Sequence, residues 1–283
     1  MKEFARKERA DNRIVGLIPT MGALHAGHLS LLQRAKLECS SVVASIFVNP
    51  KQFSPTEDFG KYPRALQADL EKLHGAGVAA VFMPEAAEMY PHGFNTYVTV
   101  EGLSERLEGR SRPGHFRGVS TVVLKLLEII QPDFAYFGRK DAQQVQIISR
   151  MARDLNLHPQ IVVCPIVREA DGLAMSSRNV YLSVEERKSA TILHRALEVA
   201  RQMLLSGERD AQRLQTAIRG ELQKEKTARV DYAQIVDAEN FEPVARVAGR
   251  CYALLAVYIG KTRLLDSLWI DVTNTETGVI AEL

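Results

Sequence analysis

Short apolar runs alternate with amphipathic segments of helical period through the first part of the chain, and few architectures accept that pattern. Arg13 to Ile18 reads as a buried strand bounded by Pro19, and the turn-rich stretch Gly22 to Gly27 leads into a helix on which Leu29, Leu31, Leu32 and Ala35 recur. Ser41 to Val48 is a β-branched run stopped by Asn49-Pro50. Pro63 to Gly75 predicts a helix with proline in its first turn, followed by a strand at Val78 to Met83. Ser120 to Ile130 then reads as a helix, Asp133 to Phe137 as a strand, Asp141 to Leu155 as a helix and Ile161 to Cys164 as a last strand. Repeated strand–helix–strand units make a parallel sheet.

Beyond Asp171-Gly172 the texture changes. Val184 to Leu205 and Ala211 to Lys224 predict two long charged helices, followed by strands near Val230 to Val236, Tyr252 to Ile259 and Arg263 to Val272. Helices followed by a run of strands mean α+β. The fold class expected is therefore α/β, a Rossmann-like doubly wound parallel sheet with a smaller C-terminal α+β domain. The boundary falls near residues 166 to 176, dividing 1–170 from 171–283. A chain of 283 residues is near the upper limit for a single core, which agrees with two domains.

Composition excludes several classes of function. With 46% hydrophobic residues and a net charge of +2, the chain is neither disordered nor of low complexity. The longest apolar stretches, Val42 to Val48 and Ala253 to Ile259, are strand-sized, so no membrane partner is expected. Met1 to Asn12 is charged throughout and has no apolar leader region, which reads as a cytoplasmic protein. Cys39, Cys164 and Cys251 are far apart, indicating neither a disulfide framework nor a zinc site. With 36 basic against 34 acidic residues there is no footprint for nucleic acid. The local cluster Arg106, Arg110, Arg112 and Arg117 suits a small anion better.

The densest chemical feature is Pro19-Thr20-Met21-Gly22-Ala23-Leu24-His25-Ala26-Gly27-His28, at the carboxyl end of the first strand and running into the first helix, where open α/β sheets bind ligands. His25 and His28 share one face of the first helical turn, beside backbone N–H groups without intrahelical partners, a place that attracts phosphate. An isolated HxxH is most often a polar pair, and metal ligation is a further reading, although the HExxH pattern is absent. A second feature is Met175-Ser176-Ser177-Arg178-Asn179. By itself it reads as a polar loop; beside a phosphate loop it is a candidate mobile clamp, with two hydroxyls and a guanidinium for phosphate oxygens. Lys140, in Phe137-Gly138-Arg139-Lys140-Asp141 at another strand end, is a further point charge. Gln52 and Gln144 lie near carboxyl ends of strands, and their amides suit a substrate bearing hydroxyl and carboxylate groups.

Together these segments resemble the pantothenate synthetase (pantoate–β-alanine ligase) family, within the nucleotidyltransferases that share an HxGH loop with class I aminoacyl-tRNA synthetases. The resemblance spans nearly the whole chain: PTMGALHAGH from Pro19, SIFVNPKQF from Ser45, LEGRSRPGHFRGVSTVV from Leu107, FGRKDAQQ from Phe137 and GLAMSSRNVYL from Gly172. It implies ATP-dependent condensation of pantoate with β-alanine through a pantoyl adenylate, with Mg²⁺ carried by ATP and no protein metal site, in a homodimer. It also implies an ATP site of Met21, Gly22, Ala23, Leu24, His25, Ala26, Gly27 and His28, with Gly138, Arg139, Lys140 and Asp141, Val167, and Met175, Ser176, Ser177 and Arg178. His28 corresponds to the family's proton donor. Gln52 and Gln144 match the pantoate-binding glutamines, Gln52 also borders β-alanine, and the C-terminal domain is expected to act as a lid.

Three departures from the family pattern stand out. Ala26 replaces a usually acidic residue, Arg139 stands where glutamate is usual, and the segment before the first strand is short, which implies a truncated or remodelled leading strand and helix. The residues alone leave two alternatives open: another adenylating enzyme on this scaffold, and a non-catalytic nucleotide-binding protein.

Overall fold

The computed structural model describes residues 1–55, 57–273 and 279–283. The chain divides into two compact units, Met1–Arg139 with Gln143–Pro165, and Lys140–Ala142 with Ile166–Leu283. In the first, helix α1 (Lys2–Ala10) precedes strand β1 (Val15–Thr20). There follow α2 (Ala26–Lys36), β2 (Ser41–Ile46), α3 (Leu66–Gly75), β3 (Ala80–Phe82), the short helices α4 (Ala86–Met89) and α5 (Glu108–Ser111), α6 (His115–Ile130), β4 (Phe134–Gly138), α7 (Ala142–Asp154) and β5 (Gln160–Cys164). The five strands pair in parallel in the order β3-β2-β1-β4-β5. The chain thus works outward from β1 to β3 and then returns to lay β4 on the other side of β1. At such a reversal the loops leaving neighbouring strands diverge, and a crevice opens at their carboxyl ends.

Strand parity explains the near-continuous apolar runs. Ile18, Val42, Ala44 and Tyr136 join Leu31, Leu32 and Ala35 of α2 and Leu73 of α3 in one cluster. The alternate residues Leu17, Val43, Ala135 and Phe137 point to the opposite face and are buried as well.

Two local findings differ from the sequence expectation, at β1 and at α6. β1 runs through Pro19 instead of stopping there; the Thr20 hydroxyl donates to the Ser45 carbonyl (2.7 Å), supplying a donor beside a residue that has no N–H. Before β1 the chain carries α1 alone, nine residues long with Ala5 and Glu8 turned inward and no strand ahead of it, in keeping with the short leading segment. Helix α6 starts at His115 instead of Ser120, because His115, Phe116, Gly118 and Val119 are buried despite their mixed polarity.

The second unit carries a 3₁₀ turn (Ser177–Tyr181), α8 (Val184–Ser189), α9 (Ile192–Leu205), α10 (Ala211–Leu222), and β6 (Ala228–Asp237), β7 (Arg250–Ile259), β8 (Thr262–Asp271) and β9 (Ile280–Glu282) in one antiparallel sheet, ordered β6-β7-β8-β9. The single helix expected over Val184 to Leu205 is two. At the break the Thr191 hydroxyl donates to the Lys188 carbonyl (2.8 Å) and Leu193 N–H reaches the Ala190 carbonyl, so the turn tightens to 3₁₀ spacing. Leu193, Leu197 and Leu204 of α9 and Leu214, Ile218 and Leu222 of α10 share a core with Leu255, Val257, Leu268 and Ile270 of the sheet.

One ion pair is built into this unit. Arg168 donates from both terminal nitrogens to Asp266 on β8, each at 2.8 Å, and Nη1 also donates to the Gly172 carbonyl. The Asp266 side chain is 1% exposed. Breaking a buried pair strands the remaining charge, so Asp266→Ala is expected to lower unfolding free energy by about 3–5 kcal/mol. Urea denaturation measures this, and a loss under ~1 kcal/mol would mean the pair is worth no more than a surface one.

Candidate active site

The HxGH segment leaves β1 at the crevice and is held from beneath. Gly22 (φ +82°) and Ala23 (φ +50°) both take left-handed backbone, which turns the chain sharply before α2. The N–H groups of Ala23 and Leu24 donate to the two oxygens of Asp69 on α3 (2.8 and 2.7 Å), and Lys72, one turn on, donates to the Leu24 carbonyl (2.6 Å). His25 is the N-cap of α2. Its Nδ1 accepts from Gly27 N–H (3.2 Å), and Nδ1 of His28 accepts from His25 N–H (3.3 Å), a reciprocal capping box made of two imidazoles whose centroids lie 4.2 Å apart. A ring that accepts at Nδ1 carries its proton, when neutral, at Nε2. Around the place expected to attract phosphate, the N–H groups of Ala23, Leu24, His25 and Gly27 are bound to side chains.

Gln52 occupies a short 3₁₀ turn (Pro50–Gln52) after β2 and is 8% exposed. Asn49, fully buried, donates to Gln52 Oε1 (3.0 Å) and to the Gly118 carbonyl (3.1 Å), and it accepts from Tyr90 (2.7 Å), whose phenol burial pushes up. The Gln52 amide nitrogen is thereby aimed at Met21 Sδ (3.1 Å). The backbone of the turn is held as well. His115 Nδ1 lies 2.8 Å from the Gln52 carbonyl, which can only accept, so Nδ1 carries the proton and Nε2 faces Arg112 Nη1 (3.0 Å). Arg112 in turn pairs with Glu57. Gly118 permits the approach of α6: a Cβ there would stand 2.2 Å from the Lys51 carbonyl oxygen.

Within the arginine cluster, Arg112 is paired with Glu57 and His115, and Arg117 lies 3.5 Å over the Tyr97 ring. Gln144 sits in the first turn of α7. Its neighbour Gln143 is buried, donating to the Leu103 and Arg106 carbonyls and accepting from Glu108 N–H, and so holds the positive-φ turn at Leu107. Sequence reading missed Asp69, Asn49, His115 and Gln143. The first of these stands in an ordinary helical sequence, on the buried face that also carries Leu73.

In the second unit Val167 and Met175 are ends of a small hairpin, with Met175 N–H donating to the Val167 carbonyl (3.0 Å) and Glu169 N–H to that of Leu173 (2.8 Å). Ser176 caps the 3₁₀ turn that contains Ser177 and Arg178, accepting from Arg178 N–H (3.3 Å), and Asn179 donates to the Ala174 carbonyl. The polar loop expected here is thus a hydrogen-bonded hairpin and capped turn. Lys140 pairs with Asp141 (3.5 Å) in the 3₁₀ turn after β4.

The sequence model described as pantoate-beta-alanine ligase matches residues 1–269. This chain belongs to the pantoate–β-alanine ligase family. It is 52% identical to pantothenate synthetase of Acetivibrio thermocellus, over 96% of this chain and 97% of the relative, and 57% identical to that of Acidobacterium capsulatum, over 92% and 87%. Its fold superposes on the crystal structure of pantothenate synthetase from Thermus thermophilus with a TM-score of 0.89, at 45% identity and 93% and 96% coverage. The pantoate–β-alanine ligase of Francisella tularensis, whose structure is of a complex with β,γ ATP and β-alanine, gives 0.76, at 36% identity and 95% coverage of both chains. Among the described residues, no three His, Cys, Asp or Glu side chains gather as a metal-binding group.

Burial, followed by the Arg112 charge, pushes His115 down from 6.5 to about 4, against the opposing Gln52 carbonyl, Glu57 and Glu108. A lowered native value means that the unfolded chain takes up the proton first. The stability this residue contributes is present above pH 6.5 and lost as pH falls toward 4, by roughly 3 kcal/mol in all. Urea unfolding from pH 7 to pH 4 should show that slope in the unsubstituted enzyme and a flatter one in His115→Gln.

Proposed function

We propose that this protein joins (R)-pantoate to β-alanine at the expense of ATP, through a pantoyl adenylate, releasing pyrophosphate and AMP. A pantoate carboxylate oxygen attacks the α-phosphorus and the bond to pyrophosphate breaks. The β-alanine amine then attacks the acyl carbon, the bond to AMP breaks and the amine gives up a proton. The observation that carries the reading is the imidazole pair whose Nδ1 atoms are tied to the helix backbone, in a chain of this family. In the neutral rings Nε2–H is then a fixed donor, the kind of group that stabilises charge as it develops on phosphate.

Residue by residue, Met21 to His28, Gly138 to Asp141, Val167 and Met175 to Arg178 serve ATP. His28 is the principal donor with His25 beside it, and Lys140, Ser176, Ser177 and Arg178 supply charge and hydroxyls to phosphate oxygens. Gln52 and Gln144 bind pantoate, and Gln52 also borders β-alanine; its fixed amide orientation supports that role, because the partner of each Gln52 side-chain atom is already determined. Mg²⁺ enters with ATP on the phosphate oxygens, its usual arrangement with nucleotides. The working form is a homodimer in the cytoplasm; three free, buried cysteines suit a reducing compartment.

The test is pyrophosphate exchange into ATP with Mg²⁺ and pantoate present and β-alanine absent. Pantoate-dependent exchange, giving way to AMP and pantothenate when β-alanine is added, is the expected result; no exchange despite ATP binding would sink the assignment. His28→Ala is expected to slow exchange ~10²–10³-fold. Gln144→Ala should weaken pantoate binding while leaving ATP affinity nearly intact, and titration calorimetry showing equal losses for both ligands would contradict its role.

A further inference from the structure

We infer that Asp69 and Lys72 form a clamp that sets the conformation of the HxGH loop, making them positioning residues for ATP. Asp69 is 1% exposed, yet both its oxygens are taken by consecutive backbone N–H groups, those of Ala23 and Leu24. Two adjacent amides can converge on one carboxylate only if the chain between them is sharply turned, and Ala23, which is not glycine, holds φ at +50°. Left-handed backbone is costly for alanine, so the surroundings must over-determine it. The carboxylate does so from one side. Lys72, on the same face of α3, fixes the Leu24 carbonyl at 2.6 Å and so holds the other end of the same peptide unit sequence.

The position of this clamp decides what it does. Leu24 immediately precedes His25, the residue that starts α2 and exchanges caps with His28. Setting the backbone at 23 and 24 sets where the His25 N–H lies, and that N–H is what holds His28 Nδ1. Asp69 therefore governs the imidazole pair while itself reserved for the loop backbone. There is no slack in the arrangement: a Cβ on Gly22 would come within 3.1 Å of Asp69 Oδ2 and 3.2 Å of Ile46.

This inference rests on reading the loop as the ATP site, so its test includes a measurement made without substrate. In Asp69→Asn one oxygen becomes an NH₂ group that faces a backbone N–H, replacing a hydrogen bond with two opposed donors. With the full-length protein, hydrogen exchange at the Ala23 and Leu24 amides should speed up ~10–100-fold while the strand amides of β1 and β2 keep their protection. The dissociation constant for ATP should rise by a similar ~10–100-fold, with KM for β-alanine changed less than about two-fold. Unchanged protection at Ala23 and Leu24, or an equal rise for every substrate, overturns the clamp. If Asp69→Asn does not fold, Lys72→Met carries the test: KM for ATP is expected to rise by about three- to ten-fold while that for β-alanine does not, and an unaltered KM for ATP overturns the clamp. Lack of pantoate-dependent exchange in the unsubstituted protein would count against the reaction alone, because amide protection is read in the free enzyme.

Discussion

Strand β1 pairs with β4 only at Gly16 and Leu17 but stays paired with β2 through Thr20, and the gap this leaves decides where the rest of the first unit points. Parallel strands normally share a ladder over their whole common length. Here the ladder ends early on one side, next to a proline that cannot donate, and the chain beyond Thr20 must find its hydrogen bonds elsewhere. It finds them on α3, and the helix that follows takes its caps from its own first turn.

The result is a loop in which much of the main-chain polarity is satisfied inside the protein. Many phosphate loops present bare N–H groups to their ligand. In this chain the N–H groups of Ala23, Leu24, His25 and Gly27 point instead to Asp69 and to two imidazoles. The Gln52 turn is built on the same plan. Asn49 fixes its side chain, His115 its carbonyl, and Gly118 lets a helix press against its backbone. Both recognition elements are short turns held by buried polar groups, each of which has a partner that a single substitution would orphan.

Much of the fold was legible because it rests on periodicity. The parallel sheet, its order of strands and helices, and the α+β character of the second unit all follow from apolar patterns that persist for several residues. The errors fall where a pattern was interrupted by one residue: Pro19 inside β1, Thr191 between α8 and α9, the buried but polar-looking start of α6, and the three-residue β9. The HxGH motif and Gln52 were legible as candidates because their residue types stand out. Their supports were not. Asp69 lies in an ordinary helical sequence, Leu66 to Gly75, and nothing in that sequence tells a buried acid from a solvated one until the loop it holds is seen. The partner of Arg112 was equally hidden, because Glu57 lies 55 residues away in the chain.

The imidazole caps also bear on a hazard that any close pair of histidines carries. A borderline divalent ion such as Zn²⁺ or Ni²⁺ needs a lone pair on a ring nitrogen. At His25 and His28 the Nδ1 lone pairs are already given to backbone N–H groups, and in the neutral rings Nε2 bears the proton. For either ring to coordinate such an ion through Nε2, the proton would have to be lost or move to Nδ1, where it would meet the backbone N–H and open the first turn of α2. The same two hydrogen bonds that fix the ring tautomers therefore oppose metal ligation through Nε2.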